Sequence, residues 1–317
     1  TVRGNVFVRR VVFKEKKAVG VEVESGGEIF NVEAERVVLS AGAIKSPHIL
    51  MLSGIGQKAQ LEQWGIPLVH ELPGVGENLL NHLAAQITFK VKDGKSLVTG
   101  IETARYSLHY TSSGSDEVND MLLRTTPVVD ERPERVHGVR TQPLTGDVPA
   151  ERVARLSCTL GLPDGAGYVR LASADPTVQP TFHYRYLHHP NDTRRVREGI
   201  RMAAALLKSD AYKDVAEYRI QPTDDVIADD DALDLYIRKT VGTARHVSGT
   251  CKMGPDADPM AVVDQYCNVK GVQGLSVVDA SLMPRIPRSG GCHATVLMIG
   301  ERAVEFIEAA LRQPTGV

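Results

Sequence analysis

The last long helix that the sequence predicts constrains the fold more than any other segment. It follows a glycine-rich turn and forms the apolar stretch Gly290-Gly291-Cys292-His293-Ala294-Thr295-Val296-Leu297-Met298-Ile299-Gly300-Glu301-Arg302. The first turn of such a helix, which holds His293, presents unpaired backbone N–H groups and about half a positive charge. An anion, or a ring that becomes anionic during catalysis, is therefore expected at this helix N-terminus.

A second histidine, His246, lies in another loop of small residues, Arg245-His246-Val247-Ser248-Gly249-Thr250-Cys251-Lys252-Met253-Gly254. A neutral imidazole can accept a proton near neutral pH. Two histidines in glycine- and serine-containing loops, both in the last third of the chain, suggest a pair that handles protons.

Composition excludes several classes of function. The 317 residues are 42% hydrophobic and 24% charged, as in a globular protein of one large or two ordinary domains. A net charge of −2 gives no reason to expect nucleic acid as a partner. No apolar run approaches the roughly 18 residues of a membrane span. The four cysteines show no CxxC spacing and no HExxH accompanies the histidines, so we expect no metal.

The pattern at the start of the chain predicts three strands, over residues 6–13, 18–24 and 28–40. The third ends in the apolar run Val37-Val38-Leu39-Ser40, which is typical of a buried parallel strand. Ser46 followed by Pro47 predicts the start of a helix, with the serine as N-cap. A strand that leads through small residues into a helix is typical of a nucleotide-binding domain.

The middle of the chain has a different texture. Strand-like runs over 85–91, 120–124 and 154–160 predict a largely antiparallel sheet, and helices are predicted over 190–209 and 226–240. A further buried strand is predicted over 274–279. The sequence therefore predicts a mixed α/β (α+β) fold in which both ends of the chain join in one Rossmann-like domain and the sheet-rich middle, backed by helices, forms another.

Four ordered blocks resemble the glucose–methanol–choline (GMC) flavoprotein oxidoreductases. The stretch Gly42-Ala43-Ile44-Lys45-Ser46-Pro47-His48-Ile49-Leu50-Met51-Leu52-Ser53-Gly54-Ile55-Gly56 is similar to the second signature of that family. The others are Leu72-Pro73-Gly74-Val75-Gly76-Glu77-Asn78-Leu79, the loop from His246 to Met253, and Val277-Val278-Asp279-Ala280-Ser281 with the final helix. The resemblance spans essentially the whole chain.

The resemblance implies FAD as cofactor and oxidation of an alcohol CH–OH group, with hydride transfer to flavin N5. It implies His246 as the base and His293 as the hydrogen-bonding partner that orients the hydroxyl of the substrate, although the reverse assignment is also open. His82, at the end of an Asn-Leu-Leu-Asn-His run, is expected near the flavin lid. The residues expected at the cofactor are Val8, Ala41, Gly42, Asp279, Ala280, His293, Ala294 and Thr295.

The same resemblance predicts an incomplete FAD-binding domain, because family members open with a G-x-G-x-x-G motif and this sequence has none. We expect FAD-domain residues over 1–83, a substrate domain over 84–245, and the catalytic loop with the return to the FAD domain over 246–317. On this view the chain is the C-terminal portion, and another segment or chain holds the pyrophosphate. A hydroxynitrile-lyase-type reaction and a non-catalytic subunit are the alternatives. The electron acceptor (oxygen, quinone or another carrier) stays open, and a cytoplasmic location is expected.

Overall fold

The computed structural model describes residues 1–95, 107–127, 135–136, 139–140, 148, 152–288 and 291–312. The strands are β1 (Phe7–Lys14), β2 (Lys17–Ser25), β3 (Glu28–Glu33), β4 (Val37–Leu39), β5 (Ile55–Gly56), β6 (His70–Glu71), β7 (Leu83–Val91), β8 (Ser107–Tyr110), β9 (Met121–Pro127), β10 (Arg135–Val136), β11 (Val139–Arg140), β12 (Val153–Leu160), β13 (Tyr168–Arg170), β14 (Thr181–His183), β15 (Ala216–Gln221), β16 (Gly242–Thr243) and β17 (Leu275–Val277). The helices are α1 (Gly42–Leu52), α2 (Lys58–Gln63), α3 (Pro190–Leu207), α4 (Asp224–Ala228), α5 (Asp230–Thr240) and α6 (His293–Arg312), with a 3₁₀ turn over Ala280–Leu282.

The strand predicted over 28–40 is two strands in two different sheets, so that prediction was wrong. β1, β2 and β3 form an antiparallel sheet in that order, and all six residues of β3 are exposed. β4 instead runs parallel to β17, with Val37 opposite Leu275 and Leu39 opposite Val277. An alternating pattern fits both an exposed edge strand and a short buried strand, so periodicity alone does not locate the break between them.

Helix α1 begins four residues before the predicted start at Ser46, and Pro47 lies inside it. A proline has no N–H to donate to the carbonyl four residues earlier, which here belongs to Ala43. The hydroxyl of Thr250 donates to that carbonyl at 2.6 Å. The loop that carries His246 thus satisfies the acceptor that Pro47 leaves free, which explains why a proline is tolerated there.

The predicted antiparallel sheet of the middle segment is confirmed. Its strands follow the order β15-β7-β12-β9-β8, and β16 also pairs with β7. Alternate residues of β7 and β12, such as Ile87 and Leu156, pack with α3 and α5 in one buried cluster. The sheet therefore has one face covered by helices.

Two hydrophobic clusters account for most of the described core. The larger contains residues from Val11 to Leu80 and from Cys251 to Ala303, so the two ends of the chain pack together as expected. It also includes Val169 and Leu171 from the middle segment. The smaller cluster is built from the six-stranded sheet and its helices.

Candidate active site

The parallel strands β4 and β17 bring the segments that follow them, one with Gly42 and the other with Asp279, to one edge of the sheet. Leu39 lies opposite Val277, and the Val278 amide donates to the Leu39 carbonyl at 2.8 Å. The residues that follow each strand, Ala41–Gly42 and Asp279–Ala280, therefore meet at the carboxyl ends of the strands. Ligands of α/β proteins bind at this edge.

Asp279 fixes the start of helix α1. Its carboxylate accepts the Gly42 amide at 2.9 Å, the Ser46 hydroxyl at 2.5 Å and, through its other oxygen, the Ser281 amide at 2.7 Å. The side chain is 6% exposed, so these donors replace most of its water. Asp279 thereby fixes the backbone on both sides of the edge.

The fit of this edge to a nucleotide cofactor can be judged from the backbone around Gly42. Gly42 has φ +82°, and a Cβ built there would meet nothing within 4 Å. Ala41 beside it is exposed. The space beside Gly42 is open, and the backbone at this helix N-terminus is exposed. Both features suit the close approach of an FAD phosphate or ribityl chain. The residues present fit the group that the sequence predicts.

Hydrogen bonds join the loop that contains His246 to the segment after β17 and to the residues before β7. The Gly249 amide donates to the Ala280 carbonyl at 3.0 Å, and the Cys251 amide donates to the Ser281 carbonyl at 2.8 Å. The His246 amide donates to the side-chain oxygen of Asn81 at 2.8 Å. These bonds hold the histidine between the strand edge and the start of β7.

The ring of His246 contacts the ring of His82, a pairing that the sequence did not predict. The two Nδ1 atoms lie 2.8 Å apart, and the rings are nearly perpendicular, at 85°. His82 is fully buried. A buried ring bonded through both nitrogens belongs to the fixed interior, and His82 lies beside His246. Its place near the flavin lid stays a prediction.

The surroundings of His82 determine which nitrogens carry protons. Its Nε2 lies 3.0 Å from the Gly161 carbonyl and 3.0 Å from the Pro287 carbonyl, and both are acceptors only. Nε2 of His82 must therefore carry the proton, which leaves its Nδ1 as an acceptor. His246 then donates from Nδ1, and its own Nε2 is left with a free lone pair.

Both rings are neutral at physiological pH. Burial lowers the pKa of His82 to about 4, the neighbouring His246 acts in the same direction, and the two carbonyls act against it. The pKa of His246 is also lowered, first by burial and then by the positive charge of Arg124. A neutral His246 with an unprotonated Nε2 is the state that a general base requires.

His293 lies at the start of α6, as predicted, and its side chain is exposed. Among the described residues no hydrogen bond or ion pair involves its ring. The turn before it is close to His246, because a Cβ built on Gly291 would lie 3.8 Å from Nε2 of that residue. Gly290, the first residue of the predicted glycine turn, lies outside the described residues. Pairing of His293 with His246 stays a prediction.

The other expected cofactor residues lie at two places. Ala294, which is exposed, and Thr295, which is half-buried, follow His293 in the first turn of α6. Val8 is half-buried in β1 and packs against the larger cluster. No described hydrogen bond links Val8 to the edge at Ala41 and Asp279, so its contact with the adenine stays a prediction.

One group of side chains has the composition of a metal site, although the sequence led us to expect none. Possible ligand atoms of Asp164, His189 and Asp192 lie within 4.8 Å of one another. The buried guanidinium of Arg195 donates to Asp164 at 3.0 Å and to Asp192 at 2.7 Å. Arg195 therefore already supplies a positive charge to this group, which we interpret as a structural ion-pair network.

Sequence reasoning missed two functional features of the site. Asn81 positions the His246 backbone, and its amide nitrogen also donates to Tyr186 and Thr243, both at 2.6 Å. The pairing of His82 with His246 was missed as well. The only sequence signal for either was the Asn81-His82 dipeptide at the end of the Gly/Pro-rich loop, directly before β7.

Two family models, both described as GMC oxidoreductase, match the chain, one over residues 1–84 and the other over residues 163–300. The first is an N-terminal model. The prediction that the chain is a C-terminal portion is thus corrected, because residues 1–84 match part of the family's N-terminal region. The dinucleotide motif itself is still missing from the sequence.

Individual relatives and solved structures are also similar to this chain over nearly its whole length. The oxygen-dependent choline dehydrogenase of Photobacterium profundum is 36% identical over 320 residues, which cover 97% of this chain and 56% of that protein. The structure of pyridoxine 4-oxidase from Mesorbium loti matches with a TM-score of 0.82 and 26% identity, over 95% of this chain and 56% of that one. A fungal aryl-alcohol oxidase shares the fold at a TM-score of 0.75 and 24% identity, over 97% of this chain and 61% of that one.

The chain thus spans a little over half the length of the curated relatives that it matches, 56% of the dehydrogenase from Photobacterium profundum. Within the described residues, no helix is both long enough and apolar enough to cross a membrane.

Proposed function

The chain belongs to the GMC oxidoreductase family, and we propose that it holds the proton-handling part of an FAD-dependent oxidation of an alcohol CH–OH group. The observation that carries this proposal is the buried contact of His82 with His246, together with the two carbonyls that fix the proton on His82. A base prepared in this way suits a reaction that begins by removing a hydroxyl proton.

In the proposed mechanism, His246 accepts the hydroxyl proton of the alcohol at Nε2. Its Nδ1–H stays bonded to His82 throughout, so the ring keeps its orientation as it becomes cationic. Bound FAD would supply the hydride acceptor at N5. His293 orients the hydroxyl from the start of α6, where the helix N-terminus also stabilises negative charge.

The residues proposed to hold FAD are those at the strand edge and in the first turn of α6. Ala41 and Gly42 offer open backbone at the start of α1, and Asp279–Ala280 lie beside them. Ala294 and Thr295 follow His293 on α6. We also propose Val8 for the adenine, on the family resemblance alone.

We further propose that another segment or chain completes the FAD site. The middle residue of β4, Val38, is 42% exposed, and on α6 Leu297, Met298 and Val304 are 59%, 57% and 53% exposed. Apolar side chains so open on a strand and a helix of one domain suit burial against further polypeptide. The 317-residue chain alone should then be colourless after purification, and a stable yellow preparation would overturn this part of the proposal.

The division into residues 1–83, 84–245 and 246–317 is kept as a proposal. The two hydrophobic clusters support it, since most of the smaller cluster comes from the middle segment. Val169 and Leu171 pack in the larger cluster, so part of the proposed substrate domain is shared with the FAD domain. A cytoplasmic location stays a prediction from sequence.

Small alcohols are the proposed substrates. Relatives of this chain are named for choline and, among solved structures, for pyridoxine and an aryl alcohol. The electron acceptor is proposed only as oxygen, a quinone or another redox carrier. A lyase reaction on the same scaffold would use the same base and would release cyanide from a cyanohydrin without reducing the flavin.

The test is His246→Ala in the flavin-loaded holoenzyme. The rate of anaerobic flavin reduction by an alcohol should fall about 10²- to 10⁴-fold, the usual contribution of a general base. His188→Ala is the matched control, because His188 is exposed and its ring makes no described hydrogen bond. A His246→Ala enzyme that reduces its flavin at the wild-type rate would remove His246 from the mechanism.

A further inference from the structure

The face of the six-stranded sheet that is turned away from α3 is polar and starts at the histidine pair. Leu83, Ala85 and Ile87 on β7 point into the cluster with α3, so Ala84, Gln86 and Thr88 lie on the opposite face. His82 directly precedes β7. Gly161, whose carbonyl accepts the hydrogen bond from Nε2 of His82, directly follows β12. This polar face therefore forms a wall that extends from the base.

Strand register places two arginines next to each other on that wall. Ser157 on β12 lies between Gln86 on β7 and Arg124 on β9 in one row. Arg155 lies two residues from Ser157 and so on the same face, in the next row. Residues in this diagonal relation have Cβ atoms about 7 Å apart, within reach of long side chains.

The described residues leave both guanidinium groups without a carboxylate. Arg124 donates from Nε to the Ser107 hydroxyl at 3.0 Å, its one described hydrogen bond. Arg155 makes no described hydrogen bond or ion pair, and its Nε is buried without a partner. A third cation of the same face, Lys90, is instead paired with Glu217 at 3.0 Å.

Because Lys90 has a carboxylate partner and the two arginines have none among the described residues, we expect an anion to bind beside the arginines. Two neighbouring positive charges repel each other, and a buried guanidinium N–H without an acceptor is costly. Both penalties are removed by a carboxylate, which the planar fork of an arginine binds through two parallel hydrogen bonds. Arg124 and Arg155 are both half-buried, so water screens them less than it screens a surface pair.

Arg124 is also close enough to His246 for its charge to lower the pKa of that ring. A molecule that spans the two residues would place its anionic group on Arg124 and its hydroxyl at Nε2 of His246. The same positive charge would stabilise the oxygen from which the proton departs.

We propose that Arg124, with Arg155 in the adjacent row, selects an alcohol that carries a carboxylate. This inference rests on the proposed function. It departs from what the name of the choline dehydrogenase relative would suggest, because choline carries a positive charge, which Arg124 would repel.

The experiment compares three alcohols on the flavin-loaded holoenzyme: para-(hydroxymethyl)benzoate, its neutral amide and choline. In the wild type, kcat/KM for the carboxylate should exceed that for the amide by about 10- to 100-fold, the range for one charge-assisted hydrogen-bonded contact. Choline should be the poorest substrate. In Arg124→Gln the ratio of carboxylate to amide should fall close to one, mainly through KM.

Lys90→Gln is the matched control, since it removes a cation from the same face that already has a partner; the ratio should stay at its wild-type value. A second measurement does not need turnover: benzoate should raise the unfolding midpoint of the wild-type holoenzyme more than benzamide does, and this difference should vanish in Arg124→Gln.

The outcomes separate the two proposals. If none of the alcohols reduces the flavin, the proposed function fails, while the benzoate measurement still decides the anion site. Equal kcat/KM for the carboxylate and the amide in the wild type, or an unchanged ratio in Arg124→Gln, would overturn the role of Arg124. Benzoate stabilisation that persists in Arg124→Gln would do the same.

Discussion

Replacement of His82 by glutamine tests the central part of the site, the fixed proton positions on the two histidines. Glutamine keeps an amide N–H near the position of Nε2, so a donor for the Gly161 and Pro287 carbonyls is retained. It removes the ring nitrogen that accepts from His246 at 2.8 Å. His246 is then free to rotate and to place its proton on either nitrogen.

The expected loss follows from that one hydrogen bond. A buried hydrogen bond contributes about 1–3 kcal/mol when its loss leaves a group unpaired, and each 1.4 kcal/mol corresponds to about a tenfold change in rate. We therefore expect the rate of flavin reduction to fall about 5- to 150-fold. The loss should appear in kcat more than in KM, because His82 is fully buried and does not face the substrate.

The assay is anaerobic stopped-flow reduction of the flavin by a saturating alcohol. His48→Gln is the control, because His48 is equally buried, at 1% exposed, and burial lowers its pKa to about 4 as well, but it bonds to Lys45 instead of His246. His48→Gln should lower stability without slowing reduction. If His82→Gln reduces its flavin as fast as the wild type, the fixed tautomer is not part of the mechanism.

Three further predictions concern stability and the cofactor edge. Gly199→Ala would place a Cβ 2.0 Å from the sulfur of Cys158. We expect the free energy of unfolding in urea to fall by about 1–3 kcal/mol. An unchanged unfolding midpoint would show that α3 can shift on the sheet without cost. Asp279→Asn should weaken FAD retention on gel filtration and lower stability by about 2 kcal/mol, since a charged acceptor for the Gly42 amide is lost; full flavin content would contradict its role. The pKa of His82 lies below its unfolded value of 6.5, so the unfolded chain binds the proton first, and stability should fall by about 3 kcal/mol from about pH 6.5 to about pH 4; a slope unchanged in His82→Gln would refute this assignment.

Local signals in the sequence predicted much of the fold. The apolar runs at Val37–Leu39 and Leu275–Val277 indicated the buried strands, which do lie side by side. The apolar pattern over 190–209 indicated a helix, and α3 spans Pro190–Leu207. These features depend on neighbouring residues, which is why sequence alone located them.

Features that depend on distant residues could not be predicted in this way. Helix α1 begins before the expected start at Ser46, because Thr250, 207 residues away, donates to the Ala43 carbonyl that Pro47 cannot bond. His82 and His246 are separated by 164 residues, and the Asn81-His82 dipeptide does not by itself identify His246 as the partner. Nothing local distinguishes a histidine that bonds to a second histidine from one that bonds to a backbone carbonyl.

The carbonyls that bond His82 connect the pair of His82 and His246 with the loop that leads to α6. One belongs to Gly161 at the end of β12, and the other belongs to Pro287, close before the turn that carries His293. If the loop at Pro287 moved away, His82 would keep one acceptor, and its proton would be held less firmly on Nε2. The Pro287 carbonyl thus links the hydrogen bonding of His82, and through it that of His246, to the segment that leads to His293.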